Sequence, residues 1–450
     1  MKVLRYVVMT LAVTAVATAQ TKPGDLVLDP LPAMDPPPSR VRSVSRKALN
    51  PAVTPCETDI CSTTLPHSCL EVKFAETAWR TCVSNQGRRG LVIGPTDLRR
   101  TPDAPWMRVL REAGVADIFV PYHALGFRLY DMQASSAASL LTVNAQDAGR
   151  EGEVVTLSGQ TNPQVVAEFN DRGVAWLCKE RGQTVRRGRE LALWGVFDAQ
   201  NYDFIFDYRL RDDGSIGFRV GATGFNNPFF PPLSTTDAHM HTVLWRVDMD
   251  LNGSGGDSAL LLTHNEGQTS LVSTDSEVAF NGGKEGTAEW DPKKFLTVAI
   301  EDESTNAHGN HIGYALRGFT EGLSRHYGQQ LGQPRQEKFT QFDFAFTRYK
   351  ETERNRLYTG SYVDPDQYLL GDAPLPGFGV ADAESVTDTD LVLWYRASVH
   401  HDPHDEDHAP GDPDNLMTGI TFVHWAGFDL EPRNLFDFNP LGGPSRNNCW

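Results

Sequence analysis

YDFIFDYRLRDDGSIGFRVGAT, residues 202–223, is the stretch that decides the fold class. It alternates apolar and polar residues on both sides of Arg211-Asp212-Asp213-Gly214-Ser215, and Asp-Gly between two alternating runs is a strong hairpin signal. Tyr202, Phe204, Phe206, Tyr208 and Leu210 share one strand face, which faces a core. Outward from this unit, from Cys69 onward, short period-two runs follow one another, separated by Gly, Asn and Asp. That density of strands and turns predicts an all-β chain folded as a large antiparallel β-sandwich, with residues 68–450 as one domain. One short helix is expected over Trp106 to Ala113. No internal repeat is visible, and the Asp- and His-rich stretch from His400 to Asp412 is the one biased segment.

Upstream the composition changes. Lys2 and Arg5, the apolar run Val7 to Ala17 and the small residues Ala17-Thr18-Ala19 have the order of a secretory signal peptide, and cleavage is expected near Ala19. The apolar run is short for a bilayer span, so a soluble, extracellular protein with no membrane partner is expected. Residues 20–67 are rich in Pro and Ser and are expected to be a disordered leader. In an exported chain Cys56, Cys61, Cys69, Cys82, Cys178 and Cys449 are disulfide candidates, and Cys56 and Cys61 are expected to lie close together. Asn252-Gly253-Ser254 is a glycosylation sequon at a turn. The net charge of −17 argues against nucleic acid and anionic membrane as partners and favours cationic ligands.

The chemistry-bearing residues sit on two strands. His239, His241, Val243, Trp245 and Val247 share one face, so two imidazoles point the same way, toward an apolar interior. In the run from Leu391 to His401, His401 continues the apolar face and His400 the polar one. A third ligand is therefore sought at His401, and three imidazoles around a divalent ion suit copper or zinc. His404 and His408 are assigned to a solvated loop. No serine-nucleophile elbow, phosphate-binding glycine loop or Cys-x-x-Cys knuckle is present.

Asn201-Tyr202-Asp203, His239-Met240-His241 and His400-His401, in this order, resemble the motifs of the copper amine oxidase catalytic domain. Similar surroundings support the resemblance across about residues 68 to 445: Asp117 to Tyr122, Val185 to Arg189, Arg246 to Asp250, Asp390 to Tyr395 and Asn434 to Pro440. The resemblance implies copper(II) held by His239, His241 and His401, and a topaquinone made from Tyr202 itself. It implies oxidation of a primary amine by O2 to an aldehyde, ammonia and hydrogen peroxide, in a homodimer with exchanged hairpin arms. Tyr122 corresponds to the tyrosine that hydrogen-bonds the quinone oxygen, and Asn201 to the Asn of the cofactor motif. Asp131 takes the place of the general base. Asp248, Met249, Asp250, Asp390 and Leu391 match a peripheral calcium site, whose oxygen ligands suit that ion. The chain departs from the family pattern at Asp198, where Thr is usual, and in a shorter loop between Tyr122 and Asp131. Those departures keep two other readings open: a metal-dependent but quinone-independent reaction on the same scaffold, and a non-catalytic copper-binding protein.

Overall fold

The computed structural model describes residues 52–441 apart from 123–126, 135–139, 150, 179–183, 225–238, 266–273, 292–296, 321–336, 359–363, 373–374 and 403–419. The expected signal peptide, His404, His408 and Cys449 lie outside the described residues, as do the side chains of Tyr122 and Cys178.

The strands are β1 (Val53–Pro55), β2 (His67–Lys73), β3 (Ala78–Asn85), β4 (Leu91–Arg99), β5 (Met107–Tyr122), β6 (Phe127–Tyr130), β7 (Gly152–Val155), β8 (Val165–Cys178), β9 (Thr184–Ala199) and β10 (Tyr202–Arg211). They continue with β11 (Ile216–Gly224), β12 (His239–Met249), β13 (Asp257–Asn265), β14 (Thr274–Ala279), β15 (Gly286–Ala288), β16 (Thr297–Thr305), β17 (His311–Thr320), β18 (Phe344–Arg348), β19 (Leu391–His401) and β20 (His424–Arg433). Two ten-stranded sheets result. One runs β1-β2-β3-β4-β5-β12-β19-β18-β15, with β6 added beside β5; the other runs β14-β13-β16-β17-β20-β11-β10-β9-β8-β7. The expected antiparallel sandwich is what forms, and the Tyr202 hairpin lies at the centre of the second sheet.

One apolar core fills the space between the sheets, with Tyr202, Phe204, Phe206 and Tyr208 from one side and Val243, Trp245 and Val247 from the other. A second cluster covers the outer face of the first sheet, where Phe119, Leu244 and Trp394 pack under Phe339, Tyr368 and Leu369. Buried on both faces, β12 has no exposed residue. The same double burial explains a correction. Trp106 to Ala113 is not a helix, because Met107 opens the sixteen-residue β5 in the middle of the first sheet. With Val109, Leu110, Ala113 and Val115 all buried, the segment loses the alternation of a half-exposed strand and imitates helical spacing.

The ordered body also reaches upstream of the expected boundary at residue 68. β1 pairs with β2, Val53 opposite Val72, and disulfides Cys56–Cys69 and Cys61–Cys82 pin the intervening segment down. Cys69 and Cys82 face each other across β2 and β3, so Cys56 and Cys61 are bonded to neighbouring positions rather than to each other. Cross-links and ladder bonds hold this segment, and neither leaves an apolar period in the sequence. Asn252 is exposed in a turn, as expected of the sequon.

Candidate active site

The site lies between the two sheets at one end of the sandwich. His239 and His241 open β12, and His239 stands directly opposite His401, the last residue of β19. Residues opposite each other in a ladder share a face, so the pairing turns all three imidazoles to the inner side and leaves His400 exposed, as the alternation argument expects. The His239 ring is centred 5.0 Å from that of His241 and 4.9 Å from that of His401. All three histidines are buried.

Tyr202 enters this cluster from the other sheet. Its hydroxyl lies 2.5 Å from His401 Nδ1, and its ring is centred 4.3 Å from that of His241. Phe204, two residues along β10, packs 5.4 Å from the same imidazole. The fold thus brings together one phenol and three imidazoles from three separate stretches of the chain, Tyr202, His239 with His241, and His401. Nitrogen donors of this softness fit a borderline ion such as copper(II).

What holds Tyr202 in place is a two-residue turn between β9 and β10. Gln200 takes a φ of 72° in this turn, and Asp198 Oδ1 accepts a hydrogen bond from its backbone N–H at 2.8 Å. Asp198 faces Asp203 across the ladder, so both carboxyls lie on the face opposite to Tyr202. The departure from Thr at this position therefore shapes the turn and turns no charge toward the phenol. Burial, with the Asp198 charge second, raises the pKa of Asp203.

Sequence reasoning overlooked the other wall. Gly224 pairs with Tyr202, and a Cβ there would lie 2.3 Å from the Asn201 carbonyl oxygen and 2.8 Å from Tyr202 Cγ. Thr421 braces this corner, its N–H donating to Gly224 O and its carbonyl accepting from Thr223 Oγ1. His424 contacts Thr421 Oγ1 at 3.0 Å, and its ring is centred 6.1 Å from that of His401. A glycine ending a hairpin and a lone histidine carry no spacing signal, so only pairing reveals them.

Asn201 is buried in the turn. Asp131, at the start of α1 (Asp131–Ala134), is buried with Oδ2 3.9 Å from His241 Nδ1, and burial pushes its pKa up to about 8. Tyr122 is the last residue of β5.

At the opposite end of β12, Asp248, Asp250 and Asp390 converge, joined by Asp257. Among the described residues, each has a buried Oδ1 without a hydrogen-bond partner. Burial pushes Asp248 up to about 7 and Asp257 up to about 9, the latter helped by the Asp302 charge. Only part of this charge is offset: Arg246 bonds Asp248 at 3.1 Å, while Arg108 and Arg111 stand 3.8 and 3.7 Å from Asp250 and Asp390. These carboxylate oxygens are hard donors by type, and Asp390 keeps the cluster partly open to solvent. Met249 and Leu391 are buried beside them.

Residues 161–448 match the family described as copper amine oxidase, enzyme domain. The chain belongs to the copper amine oxidase family. Its match to primary amine oxidase 2 of Arabidopsis thaliana is 24% identical over 409 residues, covering 80% of this chain and 57% of that protein. Its match to the primary amine oxidase of Arthrobacter sp. (strain P1) is 25% identical over 409 residues, covering 80% and 58%. The solved copper-containing benzylamine oxidase from Hansenula polymorpha superposes with a TM-score of 0.61 at 16% identity, covering 82% of this chain and 60% of that one. At that identity the superposition speaks for the fold alone. The chain spans less than two thirds of the length of these relatives, and its copper amine oxidase domain is a divergent one.

Proposed function

We propose that this copper amine oxidase domain is a secreted enzyme that oxidises a primary amine with O2 and water to an aldehyde, ammonia and hydrogen peroxide. The observation that carries the reading is the Tyr202 hydroxyl, 2.5 Å from His401 Nδ1 and enclosed by the other two imidazoles. A phenol that is to be oxidised by a metal has to lie against the metal ligands, and a phenol that merely packs a core does not. His239, His241 and His401 would hold copper, and Tyr202 is the precursor of the quinone. When present, that pair of groups accepts the two electrons of the amine C–H bond and passes them to oxygen.

The chain's own residues do the rest. Burial between the sheets excludes water from the phenol and the imidazoles. Asp131 is the proton acceptor in this proposal, since a carboxyl held near neutrality can both take and return a proton at physiological pH. Tyr122, at the end of β5, is assigned to the quinone oxygen, and Asn201 to the turn that presents Tyr202. The net charge of −17 favours approach of a protonated amine. A calcium ion is proposed at Asp248, Asp250 and Asp390 with the carbonyls of Met249 and Leu391. A homodimer is proposed as well. Val174 and Leu177, exposed near the end of β8, support a hairpin-arm contact in that dimer.

The test is a visible spectrum of the secreted protein, loaded with copper in air, before and after phenylhydrazine, with metal analysis on the same sample. A coloured adduct with copper near one per chain, lost in Tyr202→Phe while copper is retained, is the expected result. Copper without an adduct in the unsubstituted protein would refute the quinone reading and leave a metal-dependent scaffold.

A further inference from the structure

We propose that the pocket beside the β10–β11 turn binds a neutral sugar residue, a ligand separate from the amine chemistry at the Tyr202 end. The pocket has a volume of about 300 Å³, at the small end of protein ligand sites, which run from about 300 to 1,000 Å³. It lies at the far end of the hairpin that presents Tyr202, and the ten residues of β10 put about 30 Å between the two. Part of its wall comes from the stretch Asn434 to Pro440, which the active site does not use.

A bulge builds the polar part of the lining. Arg172 and Gly173 of β8 stand opposite Gly188 alone, and Gly173 takes a φ of 81°. Such a bulge takes a side chain out of the ladder and re-aims it. Arg172 is thereby brought to the turn, where Nη1 donates to Asp213 Oδ2 at 2.7 Å. Among the described residues this is the one hydrogen bond of its guanidinium, which leaves donors on Nε and Nη2. Asp213 is fixed by the Ser215 N–H, which donates to Oδ1 at 2.9 Å. Asn434 is exposed with a φ of 56°, and among the described residues its side chain makes no hydrogen bond, so its amide brings both a donor and an acceptor to the pocket. Glu431 Oε2 accepts from Arg317 Nε at 2.9 Å, and Oε1 remains as an acceptor.

The apolar part is Phe436 with Pro432 and Pro440. Phe436 and Pro432 close on the turn at Gly214, where a Cβ would lie 2.6 Å from the Phe436 ring and 3.1 Å from Pro432. The backbone beside the ring is tied down, since Arg100 Nη1 donates to Leu435 O at 3.0 Å and Asn306 Nδ2 to Asn434 O at 3.1 Å. A wall fixed before binding lowers the entropic cost of taking up a ligand.

Charge decides the class of ligand. Arg172 is paired with Asp213 and Glu431 with Arg317. Glu190 and Asp212 stand 3.9 and 3.8 Å from Arg172, so an incoming carboxylate would be repelled. An ammonium would meet the guanidinium and find both lining acids already paired. A wholly apolar molecule would strip water from the polar groups and return no hydrogen bonds. A sugar hydroxyl both donates and accepts, so it uses the donors of Arg172 and Asn434 together with the acceptors of Asn434 and Glu431. The C–H face of the sugar is left for Phe436, whose ring face is negative and attracts weakly positive hydrogens.

The experiment is a ligand-observed NMR titration of the full chain with glucose, galactose, mannose and N-acetylglucosamine and with a trisaccharide of each, methylammonium and acetate serving as charged counterparts. One of the sugars is expected to bind with a Kd of about 1 mM. Asn434→Gly keeps the backbone conformation and removes the amide, for a loss of about 3- to 10-fold. Phe436→Leu keeps apolar bulk and removes the ring face, for a loss of about 2- to 10-fold. Asn434 is exposed, so its variant folds even if Phe436→Leu does not. No binding by any sugar, or binding that Asn434→Gly leaves unchanged, would overturn the proposal. Acetate or methylammonium bound in place of the sugar, with the same dependence on Asn434, would overturn it too. A trisaccharide bound more tightly than its single sugar identifies the ligand as part of a polymer, and the reverse order as a free sugar. None of these readouts involves copper or Tyr202, so failure here is separable from failure of the amine oxidase reading.

Discussion

Adding one methyl group at Gly224 tests whether the hairpin end sets the direction of the Tyr202 phenol. Gly224 has an ordinary backbone conformation, so Gly224→Ala introduces no torsional strain and its cost is purely one of space. The new Cβ would sit 2.3 Å from Asn201 O and 2.8 Å from both Cα and Cγ of Tyr202, where ordinary contact begins at 3.4 Å. The carbonyl must retreat by about 1 Å and the tyrosine by about half that, in a turn already bound by Asp198. Overpacking of this kind costs about 1–3 kcal/mol. Spread over the unfolding entropy of a domain this large, that lowers Tm by only about 1–4 °C. The phenol, however, lies 2.5 Å from His401 Nδ1, and a displacement of about half an ångström away from the ring stretches that contact to about 3.0 Å and turns the hydroxyl off its present line. Misplacement by about 1 Å costs about 10²-fold in positioning-dependent chemistry, so quinone formation should slow at least tenfold while copper stoichiometry is kept. The assay is phenylhydrazine titration of timed aliquots after copper addition in air, alongside thermal unfolding. Gly255→Ala, with open space around its Cβ position, serves as the neutral control. Unchanged rate and Tm in Gly224→Ala would refute the reasoning, because the turn would then relax without moving the phenol.

Asp212 offers a test by pH. Burial pushes its carboxyl up to about 6 from a usual 3.8, so between those values the folded state holds a proton that the unfolded state has released. The contribution of Asp212 is therefore fully present below pH 3.8 and is lost as pH rises through 6, by at most about 3 kcal/mol. Asp212→Asn keeps an acceptor for the Arg189 N–H and should flatten stability between pH 4 and 6, raising it at pH 7; a pH profile parallel to the parent's speaks against this. For the carboxylates at the far end of β12, calcium at about a hundredfold over its Kd should stabilise by about 2.7 kcal/mol, a rise in Tm of about 3 °C that a chelator reverses. Asp390→Asn should lose most of that shift, and an equal shift in both proteins would remove Asp390 from the site.

Much of this was legible before any coordinates. The alternation through Tyr202 to Leu210 and the Asp213-Gly214 turn gave β10 and β11, because a half-buried strand must alternate and a tight turn must accommodate Gly. The same period put His239, His241 and His401 on inner faces while sending His400 outward. Met107 to Ala113 was misread for the converse reason: a strand covered on both faces has no alternation to read. The strand at Val53–Pro55 was missed because disulfides and edge pairing, rather than apolar spacing, hold it.

By itself, then, the sequence determined which side chains face inward, since strand periodicity is a local property of the backbone. Only the tertiary structure decided that Tyr202 meets His401 across 199 residues, that Gly224 leaves room for that phenol, and that Asp131 faces His241. Those are matters of which strands pair and how two sheets stack, and such contacts depend on registers and packing that no local pattern encodes.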